Sequence, residues 1–357
     1  MNRFGYDVEI DPQGMPVLME RLESRRVLVT GASGLLGSGV ARVLSEAGNA
    51  VTTLQRRPSG VPGAVDVCGS VTDPAAVEEA VTGADTVVHV AAKVSVSGPE
   101  REFEAVNVEG TRIMLEAARR HGVRRFIHVS SPSVAHAGSS IVGEGAGPAS
   151  PEHARGPYAR TKAKGELLAL AADRDDFRVL VLRPHLMWGP GDRQLTDQIV
   201  QRSRAGRMPV LGTGAPLIDT LYTGNAVEAT VAAVSAADHT HGEALVVTNG
   251  EPRPVGELVR GIALAGGAAE PARTVPAGLA RRAGALIEKA WERNLFGVRS
   301  AGLGSDDGEP PLTEFLAEQL STAHWFDQRR TREVLEWTPS VSIDEGLHRL
   351  AQYYREH

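Results

Sequence analysis

Tyr158 and Lys162 stand four residues apart in Tyr158-Ala159-Arg160-Thr161-Lys162, within a stretch from about 157 to 172 that has a helical pattern. Positions four apart share a helix face, so the phenol and the ammonium point the same way. A neighbouring cation favours phenolate and draws a tyrosine pKa down from its ordinary value of about 10. A phenol tuned in that way exchanges a proton with a substrate oxygen near neutral pH. The spacing alone is common on solvated helices, so its meaning depends on its surroundings. Two further groups supply them: a glycine-rich turn near the start of the chain, and the serines of Phe126-Ile127-His128-Val129-Ser130-Ser131-Pro132-Ser133.

The turn is Gly31-Ala32-Ser33-Gly34-Leu35-Leu36-Gly37. It follows the short apolar run Arg26–Thr30 and precedes a helical pattern through Val40, Val43 and Leu44. Strand, glycine turn and helix in that order are the context of a dinucleotide site. Gly31 permits the tight turn, Gly34 lets the backbone approach a pyrophosphate, and Gly37 allows close helix–strand packing. The pyrophosphate is expected on backbone N–H groups from Ser33 to Leu35 and Leu36, at the positive end of the helix. The second strand, Ala50–Leu54, runs into Gln55-Arg56-Arg57. An acid there would bind a ribose 2′-hydroxyl, whereas arginine accepts a 2′-phosphate. Arg56 and Arg57 therefore favour NADP over NAD.

These groups need a scaffold, and the chain alternates to provide one. Further strands read at about 64–67, 86–90, 125–129 and 179–182, with helices at about 74–82, 101–121 and 157–172. Repeated alternation predicts an α/β fold with a doubly wound parallel sheet of the Rossmann type. Ligands of such sheets bind beyond the carboxyl ends of the strands. That rule brings Ala91-Ala92-Lys93, Ser131 and Pro184 to the crevice with Tyr158 and Lys162. His89 lies inside an apolar run and reads as a core histidine. A glycine at 110, inside a helix, costs about 1 kcal/mol against alanine and implies close packing. The expected division is an N-terminal extension at 1–24 of no assigned function, a Rossmann domain at 25–183, and a substrate region at 184–357 with interleaved Rossmann elements.

Composition narrows the class. The 357 residues are 42% hydrophobic and 23% charged, with a formal net charge of -6. Nucleic acid is therefore not an expected partner. A single cysteine, Cys68, excludes an internal disulfide and a multi-cysteine metal site and fits a reducing cytoplasm. No metal is expected. No apolar run approaches the ~20 residues of a membrane span, and the acidic residues within 1–24 do not suit a signal peptide.

Thr30-Gly31-x-x-Gly34-x-x-Gly37, Asn107-Val108-x-Gly110-Thr111, Ser131 and Tyr158-x-x-x-Lys162 together resemble the extended short-chain dehydrogenase/reductase superfamily over roughly 25–350. The resemblance implies that Ser131 orients the substrate, Tyr158 is the acid/base, and Lys162 lowers its pKa and holds the nicotinamide ribose. Asn107 becomes a fourth member, acting through an ordered water. Pro132-Ser133 replaces the Asp-Glu pair of sugar-nucleotide dehydratases. Ser130–Val134 and Arg183–Asp192 resemble the 3-beta-hydroxysteroid dehydrogenase-like branch. Ala91-Ala92-Lys93 and Phe315–Asp327 look most like the 2-alkyl-3-oxoalkanoate reductases of bacterial olefin synthesis. Two positions depart from the pattern: Ser70, where an adenine-contacting Asp is common, and Gly224, which lacks the usual acid.

The expected activity is NADP-dependent reduction of a hydrophobic ketone, a long-chain 2-alkyl-3-oxoalkanoate. The alternatives are a 3-beta-hydroxysteroid dehydrogenase, a sugar-nucleotide epimerase and an NADP-sensing regulator. His185 is a candidate partner for a substrate carboxylate, against a structural turn histidine. Asp192 is read as capping a helix to about Arg204. The stripe Leu279, Ala283, Leu286, Ile287 and Trp291, within 277–296, reads as an amphipathic helix over the substrate cavity, or as a contact for a membrane surface or a pathway enzyme. Residues 301–308 read as a loop, and a homodimer is the oligomer the resemblance suggests.

Overall fold

The computed structural model describes residues 24–95, 98–136, 138–271, 273–292 and 313–357. All of the N-terminal extension except Ser24, and the 301–308 loop, lie outside them. Seven strands form the central sheet: β1 (Arg26–Thr30), β2 (Ala50–Gln55), β3 (Val65–Cys68), β4 (Thr86–His89), β5 (Arg125–Val129), β6 (Arg178–Pro184) and β7 (Glu243–Val247). Their order is β7-β6-β5-β4-β1-β2-β3, and every pairing is parallel. Both faces of such a sheet must be covered, because successive residues point to opposite sides. Val27 and Val29 pack under α1 (Leu35–Glu46), whereas Leu28 packs with α2 (Pro74–Val81) on the opposite face.

Two glycines set how closely helices approach. The chain is helical from Glu100 to Phe103, winds as a π-helix over Glu104–Glu109, and returns to an α-helix, here α3, over Gly110–Arg120. The sequence pattern predicts one continuous helix there. The widened turn carries Asn107, whose carbonyl accepts from Thr111 Oγ1 at 2.9 Å. A Cβ on Gly165 of α4 (Gly156–Ala171) would lie 2.4 Å from that carbonyl oxygen, so only glycine fits the crossing. A Cβ on Gly110 would lie 2.8 Å from Val71 Cγ2, the close packing its sequence position implies.

Beyond β6 come α5 (Thr196–Arg204), α6 (Thr223–Ala236), α7 (Val255–Ala265), α8 (Ala277–Glu292), α9 (Glu314–Gln319), α10 (Arg329–Leu335) and α11 (Ile343–Glu356). Of this half, α6, α10 and β7 join the central body: β7 is the sheet's edge, α6 packs beside α1, and α10 adds Val334 and Leu335 to the same core. The remaining elements build a lobe with its own core around Trp188, Ile199, Val259, Ile262 and Leu350. Its four-stranded sheet has the order Arg253–Pro254, Leu217–Ile218, His324–Phe326, Ile141–Glu144. At the joint, Asn225 Nδ2 donates to Asn249 Oδ1 and to the Val341 carbonyl, and Thr223 Oγ1 donates to the Trp188 carbonyl. Gly224, which lacks the acid common at this position, is buried between them.

Two expectations need correcting. Asp192 does not cap α5 directly. It accepts from the backbone N–H groups of Gln194, Leu195 and Thr196, which closes a turn before the helix begins at Thr196. Nor does the 277–292 stripe face the substrate cavity. Leu279 and Leu286 are 60% and 70% exposed, while Ala280 and Trp291 are buried. The inward face is set by the partner α8 actually meets, and a hydrophobic period cannot tell that partner from solvent.

Candidate active site

The strand order reverses between β1 and β4, and the crevice beyond their carboxyl ends opens into one cavity of about 930 Å³. Its first end is the glycine turn. Gly31 has φ of 74°, and a Cβ there would lie 2.9 Å from Ala91 N. A Cβ on Gly37 would lie 2.4 Å from Gly31 O, which explains the helix–strand contact. The start of α1 carries no side-chain cap and no acid in its first turn. Its first N–H groups thus remain available to an anion from outside the chain, and the residues present fit a dinucleotide pyrophosphate.

Ser33, Leu35, Leu36, Arg56, Ala91, Ala92, Lys93 and Pro184 also line the cavity; Arg57 and Asn107 do not. The side chain of Asn107 is engaged elsewhere. Its Oδ1 accepts from Lys93 N at 2.8 Å, and its Nδ2 donates to Lys93 O at 3.2 Å and Thr161 Oγ1 at 3.1 Å. Asn107 clamps the strand end after β4 to α4 instead of facing the ligand. Ser70 lines the cavity where an acid was expected, its hydroxyl paired with Thr72 Oγ1 at 2.7 Å. His89 is a core histidine, between Thr30 Oγ1 at 2.9 Å and Thr111 Oγ1 at 3.2 Å. Burial, and secondarily the charge of Lys162, lower its pKa to about 3.

Ser131 follows β5 and begins a short 3-10 turn, Pro132–Ala135. Its Oγ lies 2.9 Å from Ser133 Oγ, and it acts on the Tyr158 phenol in the direction that lowers its pKa. Tyr158 and Lys162 lie on the first two turns of α4, and Lys162 Nζ donates to Val129 O at 2.6 Å. The expectation that Lys162 draws the phenol toward neutrality is not met in the chain alone. Burial raises Tyr158 to about 12, against the lowering effect of the Ser131 hydrogen bond. Burial also lowers Lys162 to about 8, against the raising effect of Glu166. The ammonium is bound to the Val129 carbonyl, and at the phenol desolvation outweighs the contribution of Ser131.

The far end of the cavity is mixed. Ile141, Leu186, Met187, Leu195, Leu320 and Phe326 form apolar walls beside Asp192, Arg193, Gln194 and Gln319, with none of 277–292 taking part. Leu186 has φ of 43°, a left-handed conformation that costs a side chain of this kind about 1–2 kcal/mol. This sharp turn after β6 brings His185 to the cavity wall. His136 and His324 line the same wall and have no motif of their own, so the sequence did not single them out. Their meeting depends on the pairing of His324–Phe326 with Ile141–Glu144.

With this geometry in view, comparisons with known proteins decide the lineage. The description "NAD dependent epimerase/dehydratase family" matches residues 27–248. The chain belongs to that family. It is 39% identical over 334 residues to a 2-alkyl-3-oxoalkanoate reductase of Stenotrophomonas maltophilia (strain K279a), covering 91% of this chain and 98% of that protein. It is 29% identical to a 3-beta-hydroxysteroid dehydrogenase of Mycolicibacterium neoaurum, covering 96% and 94%. Among solved structures, MoeE5 in complex with UDP-glucose and NAD matches with a TM-score of 0.69 at 24% identity, covering 93% of this chain and 99% of that one. This extended short-chain dehydrogenase/reductase is thus an NAD(P)-dependent oxidoreductase with a Rossmann-like fold. Among the described residues, no helix is long and apolar enough to cross a membrane.

Proposed function

We propose that this reductase uses NADPH to convert a long-chain 2-alkyl-3-oxoalkanoate to the 2-alkyl-3-hydroxyalkanoate, a step of lipid or olefin biosynthesis. The observation that carries the reading is the single cavity that places Ser131 and Tyr158 between the glycine turn and a chamber with apolar walls. The glycine turn, from Gly31 through Ser33 and Gly34 to Leu35, Leu36 and Gly37, holds the pyrophosphate. The Ala91-Ala92-Lys93 segment and Pro184 flank the nicotinamide half. When bound, the nicotinamide supplies the hydride.

The chain's own residues handle the oxygen and its proton. Ser131 Oγ donates to the ketone oxygen and fixes its direction. Tyr158, held protonated by burial across neutral pH, gives its proton to that oxygen as negative charge develops there. Lys162 is cationic below about pH 8; it stabilises the phenolate left behind and steadies the nicotinamide ribose. Asn107 acts at one remove, by fixing the Lys93 backbone.

Arg56 lines the cavity beside the end of β2, and with Arg57 it is assigned the 2′-phosphate of NADP. Charge-assisted hydrogen bonds contribute about 1.5–3 kcal/mol each. With one such bond at stake, since Arg56 alone of the pair lines the cavity, replacing both arginines with alanine is expected to weaken NADPH by about 10- to 150-fold while leaving NADH within about twofold. Fluorescence titration of the two cofactors checks this, and equal affinity of the parent protein for both would contradict it.

The substrate is tested by following NADPH oxidation with a 2-alkyl-3-oxoalkanoate and a 3-oxosteroid offered separately. The branched acid is expected to turn over and the steroid not. The reverse outcome moves the assignment to the steroid reaction and leaves the roles of Ser131, Tyr158 and Lys162 unchanged.

A further inference from the structure

Three histidines from distant parts of the chain meet on the substrate side of the cavity. His136 follows the 3-10 turn after Ser131, His185 follows β6, and His324 opens the strand His324–Phe326. The rings of His136 and His324 lie 4.7 Å apart between centroids, and those of His185 and His324 lie 6.1 Å apart. All three are at most 5% exposed, and all line the cavity that holds Tyr158. Among the described residues no group of three or more His, Cys, Asp or Glu is arranged to hold a metal ion. The three imidazoles are therefore read against a different ligand.

Their partners fix where the protons lie. A backbone N–H can only donate and a carbonyl can only accept. His136 Nδ1 accepts from Gly138 N at 3.2 Å, so in the neutral ring Nε2 carries the hydrogen. That Nε2–H is buried without a hydrogen-bond partner, a costly state for a donor. His185 Nδ1 donates to the Asp219 carbonyl at 2.5 Å, leaving Nε2 with its lone pair. The single hydroxyl proton of Thr322 goes to the Glu318 carbonyl, so its oxygen accepts from His324 Nε2 at 2.7 Å and Nδ1 keeps a lone pair. The cluster thus offers one unsatisfied donor and two lone pairs.

We propose that His136, His185 and His324 form the seat of the substrate's carboxylate, and that the anion enters this seat together with one proton from solvent. The inference rests on the proposed reduction of a 3-oxo acid and extends it to the recognition of the acid group. His136 Nε2–H is the fixed donor. The two lone pairs would repel an anion as they stand, and protonation of either ring turns one of them into a second donor. One N–H···O⁻ pair replaces a free imidazole and a free proton, so charge and protons balance.

The charges around the cluster leave that proton to the ligand. Arg155, which faces His136, is already paired with Glu318 at 3.3 Å. Asp219 is buried beside His185, with its carboxylate accepting from Thr248 Oγ1, Gly250 N and Glu251 N. Asp192 and Arg193 line the same cavity from the segment before α5. Burial lowers His185 to about 4 and His324 to about 3. Burial and Arg155 lower His136, partly offset by the Ser139 backbone. All three rings are consequently neutral at pH 7 until an anion arrives.

The probe is a saturated long-chain acid branched at carbon 2, which has no ketone to reduce. Its binding to the NADPH-loaded full chain is measured by titration calorimetry from about pH 7 to about pH 8.5, in buffers of different ionisation enthalpy. This range lies above the titration of Asp219 at about 6 and spans that of Lys162 at about 8, which the ester control carries equally. The methyl ester of the same acid is the control; it meets the same groups without a charge. The expected result is net proton uptake when the acid binds, with Kd rising as the pH rises, and neither effect for the ester. H136F should abolish most of the preference for acid over ester. Equal pH dependence of acid and ester, or no proton uptake in the parent protein, overturns the carboxylate seat. Such a result alongside reduction of the 3-oxo acid leaves the proposed reaction standing; proton-coupled binding without reduction of any 3-oxo acid does the opposite.

Discussion

Tyr158→Phe is expected to lower turnover by at least about 100-fold, the scale of positioned acid/base catalysis, while the fold and NADPH affinity stay near those of the parent. Only the phenol oxygen is removed, and its chain partner is Ser131 rather than any part of the core. The ring itself sits on the first turn of α4, where phenylalanine fills the same volume. The loss should fall on kcat, because the proton is transferred only as the ketone oxygen gains charge. Steady-state kinetics and a cofactor titration on the same preparation measure both halves of this statement. Turnover within a few-fold of the parent would remove Tyr158 from the chemistry and with it the proposed proton path.

The second large effect is one of stability, four residues beyond Lys162 on the same helix. Glu166 and Arg183 are 0% and 1% exposed and form a two-pronged ion pair, at 2.5 Å and 3.0 Å, that ties α4 to β6. Arg183 also donates to the carbonyls of Ala146 and Gly147, so one guanidinium joins helix, strand and loop beneath the active site. Glu166→Ala leaves that cation buried without its counter-charge. Breaking a buried pair in this way costs about 3–5 kcal/mol, whereas replacing both partners with apolar residues costs much less. Denaturant unfolding of E166A should show the full loss, and a Glu166→Leu, Arg183→Met double variant should recover part of it. A loss below about 1 kcal/mol in E166A would show that the pair does not hold α4 in place.

The same substitution has a chemical consequence with a definite sign. Glu166 opposes the burial that lowers Lys162 to about 8. Without it the lysine should lose its proton at a lower pH, and the alkaline fall in reduction rate should move downward with it.

Much of this protein could be read from the order of its residues, because the relevant physics is local. A glycine turn between a β-branched run and an amphipathic helix specifies its own backbone; Gly31, Gly34 and Gly37 sit where each missing Cβ matters or leaves room. Tyr158 and Lys162 share a face because the helix repeat puts them there, and strand–helix alternation is enough to require a parallel sheet covered on both sides. Matters of long-range packing and solvation were decided only in three dimensions. Tyr158 stands above its ordinary pKa because desolvation depends on what folds over it, and no spacing reports that. Asn107 turns to the Lys93 backbone from the π-helical stretch Glu104–Glu109 that precedes α3, packed against Gly165. Leu279 and Leu286 face outward because α8 meets the lobe on another side. His136, His185 and His324 converge because a strand near the carboxyl end pairs with one that follows the serines. The sequence determined which groups could do the chemistry. The tertiary structure decided their solvation, their partners and their company, since those depend on contacts between residues far apart in the chain.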